Sequence, residues 1–288
     1  MPTFINTKGM NIEKWRKARE NYLGASEISS AVGLNPYRSP LDLWREKSKD
    51  PSYKPFKGNN YTKWGSRLEN SIAWGFSKDM KIKIRKDNKI RIHDNGILSA
   101  SLDRLLIDKK GNGTLEIKNM SDKQFNKLVR DDNDVSMMYF SQVQQQFAIS
   151  EFTWGYFVIL VGGNTLITRK TKPDYDFIDL QSRMGVDFWK DNVLQKKPPE
   201  YGDRLKYKAL KKLVYKSEQW KRFRFTPNFP EEEEIDPIKI FINKVEAVKT
   251  KAELNKLLIG QSSVIEAATR ENKSLLYTLV KVKRHTLK

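Results

Sequence analysis

The sequence predicts an α/β (α+β) core, a mixed central sheet flanked by helices, with a mainly helical C-terminal appendage. Three observations support this. Stretches with helical apolar spacing precede, interrupt and follow short runs that alternate apolar and polar residues. Lys109-Lys110-Gly111-Asn112-Gly113 and Gly162-Gly163-Asn164 each separate two such alternating runs, as hairpin turns do. Beyond Glu200 the texture turns basic and then rich in proline and glutamate. At 288 residues and 38% hydrophobic content, the chain suits a core domain over 1–200 with an appendage over 201–288.

The elements follow in order. Asn11–Tyr22 carries Ile12, Trp15 and Ala18 at helical spacing, and Gly24 ends it; Ser26–Val32 reads as a short helix closed by Gly33. After the turn Asn35-Pro36-Tyr37-Arg38, Ser39 caps a third helix running to about Lys47, with Pro40 at its first position and Asp42 in its first turn. Tyr61–Lys78 is a longer helix with Leu68, Ile72, Ala73 and Phe76 on one stripe and Glu69 near its middle. Strands are expected at Lys81–Arg85 and Lys89–His93, then a hairpin of Ile97–Asp108 and Thr114–Asn119. Ser136–Ser150 is a buried helix studded with Gln142, Gln144, Gln145 and Gln146. A second hairpin joins Thr153–Val161 to Thr165–Lys170, and Asp174–Leu194 is an amphipathic helix ahead of Pro198-Pro199. Helices are expected around Pro237–Val248 and Lys251–Thr269, with a terminal strand or strand pair in Ser274–Thr286.

Composition removes several function classes. With no cysteine, zinc-thiolate sites, iron–sulfur clusters and cysteine nucleophiles are excluded, and the chain suits a reducing compartment. Only His93 and His285 are present, which argues against histidine-based nuclease centres and a Ser-His-Asp enzyme. No apolar run approaches 18 residues and the N-terminus has no signal-peptide pattern, so a soluble, non-secreted protein without a membrane role is expected. A formal charge of +19 points to a polyanionic partner, and nucleic acid is favoured because no basic amphipathic helix with a Trp/Phe/Leu face is seen.

The most informative chemistry lies in the first hairpin. Asp103 precedes Glu116-Ile117-Lys118, and residues two apart on a strand share a face, so Glu116 and Lys118 point together towards Asp103. A turn centred between Lys110 and Gly111 places Asp103 opposite Lys118 and diagonal to Glu116. Carboxylate oxygens are preferred ligands of Mg2+ or Mn2+, and a neighbouring lysine orients water or offsets developing charge. Asp87-Asn88-Lys89, Asp108-Lys109-Lys110 and Glu271-Asn272-Lys273 satisfy the same acid-x-Lys pattern. Glu116 differs in its hairpin partner and its apolar neighbours Leu115 and Ile117.

Five motifs recur in a familiar order: Gly24-Ala25-Ser26-Glu27-Ile28 with Gly33-Leu34-Asn35-Pro36-Tyr37 and Ser39-Pro40-Leu41-Asp42-Leu43-Trp44; Gly65-Ser66-Arg67-Leu68-Glu69; Ser101-x-Asp103; Leu115-Glu116-Ile117-Lys118; and Tyr139-Phe140-Ser141-Gln142-Val143-Gln144. Over about residues 12–200 the chain resembles the YqaJ-type viral recombinase family, the phage lambda-type exonucleases of the PD-(D/E)xK (restriction-endonuclease-like) nuclease superfamily. Ala25 departs from the second glycine of many relatives. The resemblance implies that Asp103 and Glu116 bind metal with the Ile117 carbonyl, that Lys118 positions water, and that Glu69 completes the acidic cluster. It implies a 5′-phosphate pocket of Arg19, Ser26, Ser101 and Gln142. It further implies a metal-dependent 5′-to-3′ exonuclease on double-stranded DNA, using Mg2+ with Mn2+ as an alternative, that leaves 3′ single-stranded overhangs for recombination by strand annealing. A single-strand-annealing partner, a homo-oligomeric ring and the cytoplasm of a bacterial host complete that picture. The alternatives are an endonuclease or nickase with the same centre, and a non-catalytic DNA-binding recombination factor.

The resemblance stops before Arg204–Arg224. There Lys211, Lys212, Lys221 and Arg222 are additional candidate DNA contacts, interleaved with Tyr207, Tyr215, Trp220 and Phe223. A solvated helix with its aromatic residues packed inward fits the same pattern equally well.

Overall fold

The computed structural model describes residues 3–109, 111–130, 134–200 and 204–225, with 245, 248–250, 253–255, 280–281 and 283. The chain divides into two compact units, Met1–Pro227 and Asn228–Lys288. In the first, β1 (Thr3–Asn6), β2 (Leu23–Gly24), β4 (Lys89–Ile92) and β5 (Leu98–Ala100) form a four-stranded sheet in the order β1-β4-β5-β2. A five-stranded sheet, β3-β6-β7-β8-β9, is built from β3 (Lys83–Arg85), β6 (Arg104–Asp108), β7 (Gly111–Met120), β8 (Gly155–Val161) and β9 (Thr165–Thr171). Its β7–β8 pair is parallel and the other pairs are antiparallel. A parallel pair needs a long crossover, supplied here by α5 (Asp122–Arg130) and α6 (Asp134–Ser150). The mixed α+β architecture is the one expected.

Strand alternation decides what covers each face of the larger sheet. Leu115, Ile117, Tyr156 and Val158 pack with Ile72, Ala73 and Phe76 of α4 (Asn60–Met80). Phe157, Ile159 and Val161 turn the other way, into the main core with Phe140, Val143 and Phe147 of α6. Glu116 and Thr114 share that second face, so a carboxylate is drawn under a helix.

The remaining helices of the first unit are α1 (Ile12–Arg19), α2 (Ile28–Ala31), α3 (Pro40–Lys47), α7 (Tyr175–Asp187), α8 (Arg204–Lys216) and α9 (Glu218–Phe223), and α7 runs on into a π-helical segment, Phe188–Leu194. Ser39 caps α3 as expected, in a reciprocal capping box with Asp42. Gly162 and Gly163 take φ of +59° and +83° in the β8–β9 turn, values that favour glycine. Among the described residues no helix is long and apolar enough to cross a membrane.

Several expectations are corrected. The Ile97–Asp108 run is two strands: β5 belongs to the smaller sheet, β6 to the larger, and Ser101-Leu102-Asp103 carries the chain between them. The hairpin turn is tighter than expected, with Asp108 paired to Gly111 and Arg104 to Leu115, so continuing the register sets Asp103 opposite Glu116 rather than Lys118. A two-residue slip keeps every side chain on its face, which is why the facing prediction survives. Strand β1 and helix α5 were not expected.

The basic run is resolved in favour of inward packing. Leu210, Val214, Trp220, Phe223 and Phe225 are buried in the main core, and the Phe223 ring lies 5.0 Å from Phe157 and 5.4 Å from Phe140. Compactness therefore continues past Glu200 to Pro227. Lys212, Lys221 and Arg222 are exposed and Lys211 is half-buried. The expected helices around Pro237–Val248 and Lys251–Thr269 lie mostly outside the described residues; Val280, Lys281 and Lys283 are helical, not part of a strand.

Candidate active site

Glu116 sits in the middle of β7 with 2% of its surface exposed, an expensive place for a carboxylate unless donors surround it. Three do. Lys118 Nζ reaches Oε1 at 2.5 Å, Gln142 Nε2 reaches Oε1 at 2.6 Å, and Gln146 Nε2 reaches Oε2 at 2.5 Å. Lysine comes from the same strand face, and both amides come from α6, one turn apart, which is the spacing that stacks side chains on one helix face.

Asp103 occupies the passage between the sheets, and its Oδ2 accepts the backbone N–H of Ile117 at 2.8 Å. The side chain thus takes a donor that a continuing β6 would have used, which explains the strand break. Burial and the facing Glu116 push the Asp103 carboxyl well above the usual carboxylate range; Lys118 pulls it back, Glu69 pushes it further, and the Ile117 bond lowers it. For Lys118, burial disfavours the ammonium, but Glu116 and then Asp103 more than offset this, so its pKa is raised. Lys118 accordingly stays charged, as a donor and not a base, with its ammonium 5.3 Å from the Tyr139 ring centroid.

Glu69 is near this pair but engaged elsewhere. Its Oε1 is 2.5 Å from Arg104, whose buried guanidinium also donates to Asn70 Oδ1 and the Asp103 carbonyl. Arg104 thereby ties α4 to the start of β6. The expected acidic cluster is thus a facing pair plus a third carboxylate held by arginine, and among the described residues no three His, Cys, Asp or Glu side chains form a metal cage. Of the competing acid-x-Lys matches, Asp87 is spent on Arg91, at 2.9 and 3.1 Å.

The four expected phosphate ligands divide. Arg19 donates to Ser26 Oγ at 3.1 Å and lies over Trp15 at 4.4 Å. A Cβ at Gly24 would sit 2.5 Å from Arg19 NH2, so this glycine makes way for the guanidinium. Glu27 stands behind it, accepting from Gly24 N and pairing with Lys47 at 2.8 Å. Burial works to raise its pKa, but Lys47 and Arg19 hold it below the ordinary value. Arg19 Nε and Ser101 Oγ are buried without a partner among the described residues, donors that an anion would satisfy. Gln142, by contrast, spends its amide N–H on Glu116.

Sequence reasoning missed Gln146 and Arg104 as members of the site. Gln146 had a signal, being an amide four residues beyond Gln142 inside an apolar helix; Arg104, next to Asp103, had none beyond its charge.

Comparison with known proteins matches residues 14–153 to the YqaJ-like viral recombinase domain family, a span that includes Arg19, Glu69, Asp103, Glu116, Lys118, Gln142 and Gln146. The chain is 27% identical over 221 residues to the uncharacterised protein YqaJ of Bacillus subtilis (strain 168), covering 75% of this chain and 68% of that protein. Its fold is similar to an alkaline exonuclease from Laribacter hongkongensis, with a TM-score of 0.50 and 19% identity over 69% of this chain and 98% of that one. The matched span thus holds Asp103, Glu116 and Lys118, while β8, β9 and α7 to α9 follow it.

Proposed function

We propose that this chain is a metal-dependent deoxyribonuclease that digests double-stranded DNA from its ends in the 5′-to-3′ direction, leaving 3′ overhangs for strand annealing. The observation that carries the reading is the pair of facing, largely buried carboxylates, Asp103 and Glu116, with the Lys118 ammonium bonded to Glu116. This donor set suits a hard divalent cation: two carboxylates and the Ile117 carbonyl are oxygen ligands, and Mg2+ is usually held by one or two carboxylates while keeping several waters. Burial and then repulsion by Glu116 raise the Asp103 pKa, and a bound cation would offset both by favouring the carboxylate. When bound, Mg2+, or Mn2+, would polarise the scissile phosphate and make its water more acidic.

The chain's own residues supply the rest. Lys118 would orient the attacking water and offset charge developing on phosphate. Gln142 and Gln146 hold Glu116 in one rotamer, and Arg104 fixes Glu69 beside Asp103. Arg19, Ser26 and Ser101 would grip a terminal 5′-phosphate, which favours end digestion over internal nicking. Lys211, Lys212, Lys221 and Arg222 remain candidates for phosphate contacts outside the centre. A homo-oligomeric ring, a single-strand-annealing partner and a cytoplasmic setting in a bacterial host belong to the same proposal, and they rest on the family resemblance alone.

The deciding experiment is digestion of linear duplexes ending in 5′-phosphate or 5′-hydroxyl, and of a closed circle, in Mg2+ and in EDTA. Degradation of phosphorylated linear DNA only with metal is expected. Cutting of the circle would replace the exonuclease by an endonuclease, and binding without cutting would leave a recombination factor.

A further inference from the structure

Away from the cleavage centre, a concave groove of about 510 Å³ opens where the outer edge of the smaller sheet meets the turn end of the larger. Strand pairing explains its chemistry. In the β1–β4 ladder Phe4 stands opposite Arg91 and Asn6 opposite Lys89, while Ile5, Ile90 and Ile92 alternate away from them. Lys89-Ile90-Arg91-Ile92 thus sends its apolar residues inward and its cations into the groove.

The charge there is unbalanced. Lys8, Arg85 and Lys86 join Lys89 and Arg91 in the lining, and the only carboxylate among the lining residues, Asp87, is fully engaged by Arg91 through two hydrogen bonds. Among the described residues no carboxylate pairs with Lys8, Arg85, Lys86 or Lys89. Two aromatic rings sit among these cations. Phe4 is 54% exposed with Lys89 Nζ 3.8 Å from its centroid, and Phe152 lies 5.4 Å from the Arg91 guanidinium.

We propose that this groove binds single-stranded nucleic acid, with backbone phosphates on Lys8, Arg85, Lys86 and Lys89 and an unpaired base against Phe4. Cations tracking a backbone beside a stacking ring are the recurring means of holding a single strand. A paired base presents no free face to a ring set in a concavity, so duplex DNA would meet only the cationic rim. The groove also shares strand β7 with the cleavage centre: its Asn112 and Glu116 lie on one face, four residues or about 13 Å apart. The proposal rests on the DNA reading above but not on catalysis.

The test uses the full chain carrying Glu116→Gln, in EDTA, so that no cleavage intervenes. Anisotropy of a labelled, 5′-hydroxyl oligothymidylate is titrated across a salt series, with a duplex of equal length in parallel. Lys86→Ser with Lys89→Ser should weaken single-strand binding and flatten the slope of log affinity against log salt by about 0.7 per lost contact, hence about 1.4. Phe4→Ala should weaken single-strand binding with the slope unchanged, because a stacked base carries no counterion. In the chain with Glu116 intact, both variants should still cleave a short duplex at low salt. Unchanged affinity and slope would overturn the proposal. So would an equal loss for the control pair Lys196→Ser with Lys197→Ser, exposed lysines outside the groove lining, or an equal loss on duplex. If the parent never cleaves but the groove variants lose single-strand affinity, the groove stands and the nuclease reading alone fails.

Discussion

Gln146 is bonded at both ends of its amide: Nε2 to Glu116 Oε2 at 2.5 Å, Oε1 to the Thr114 hydroxyl at 3.1 Å. The hydroxyl donates to the oxygen, so the NH2 has one orientation and Glu116 has one fixed donor on that side. Replacing Gln146 with Leu removes a charge-assisted bond of about 1.5–3 kcal/mol, which corresponds to roughly ten- to a hundredfold in rate. Because the effect runs through Glu116, the metal concentration for half-maximal cleavage should rise with the loss of rate. A slower variant with the parent's metal requirement would assign Gln146 to packing alone.

Asp103→Asn should abolish cleavage and leave duplex binding largely intact, since the cations that attract phosphate lie elsewhere. The same change should stabilise the metal-free fold at neutral pH. The sign follows from the raised pKa of Asp103: ionising this carboxyl is harder in the folded chain, so the parent loses stability as pH rises from about 3.9, the unfolded value, through the folded pKa. Thermal midpoints in EDTA should therefore favour the variant at pH 7 to 8, with the gap closing as pH falls towards about 4. A gap that is constant with pH would refute the assignment.

Arg19→Ala should selectively weaken use of 5′-phosphorylated ends, about ten- to a hundredfold at low substrate. Gln142→Ala should instead slow phosphorylated and hydroxyl ends alike, because its amide serves Glu116. Comparing both substrates for both variants separates the two roles, and an end-specific loss for Gln142 would return it to the phosphate pocket.

A chain ending at Pro227 should fold and retain metal-dependent cleavage, whereas one ending at Glu200 should not fold stably. The second truncation removes Trp220, Phe223 and Phe225 from the main core. Phe223→Ala alone should cost about 3–5 kcal/mol in chemical denaturation. A well-folded 1–200 fragment would show that these rings cover the core without supporting it.

Legibility in the sequence tracked the strength of local signals. The capped helix at Ser39, the glycine turn at Gly162-Gly163 and the shared face of Glu116 and Lys118 depend on near neighbours, and all three hold. The hairpin register missed by two residues because Lys109 to Gly113 admits several turn centres. Glu69 was placed on the correct helix, but its partner Arg104 is 35 residues away, beyond any periodic pattern. Thr3–Asn6 forms a strand only because β4 offers it a ladder, and four residues carry too little pattern to announce that.

Gln145, between the two glutamines that grip Glu116, turns to the opposite sheet and donates to the carbonyls of Leu23 and Ser99 at 2.9 and 3.0 Å. Leu23 precedes Gly24, over which Arg19 is laid. Helix α6 therefore acts as a gauge block: three glutamines within little more than one turn set the offset between the carboxylates and the arginine, with no loop in between to absorb error. Adding one residue inside α6 would rotate one grip by about 100° relative to the other. Such an insertion could leave helix content unchanged and still put the two ends of the site out of step.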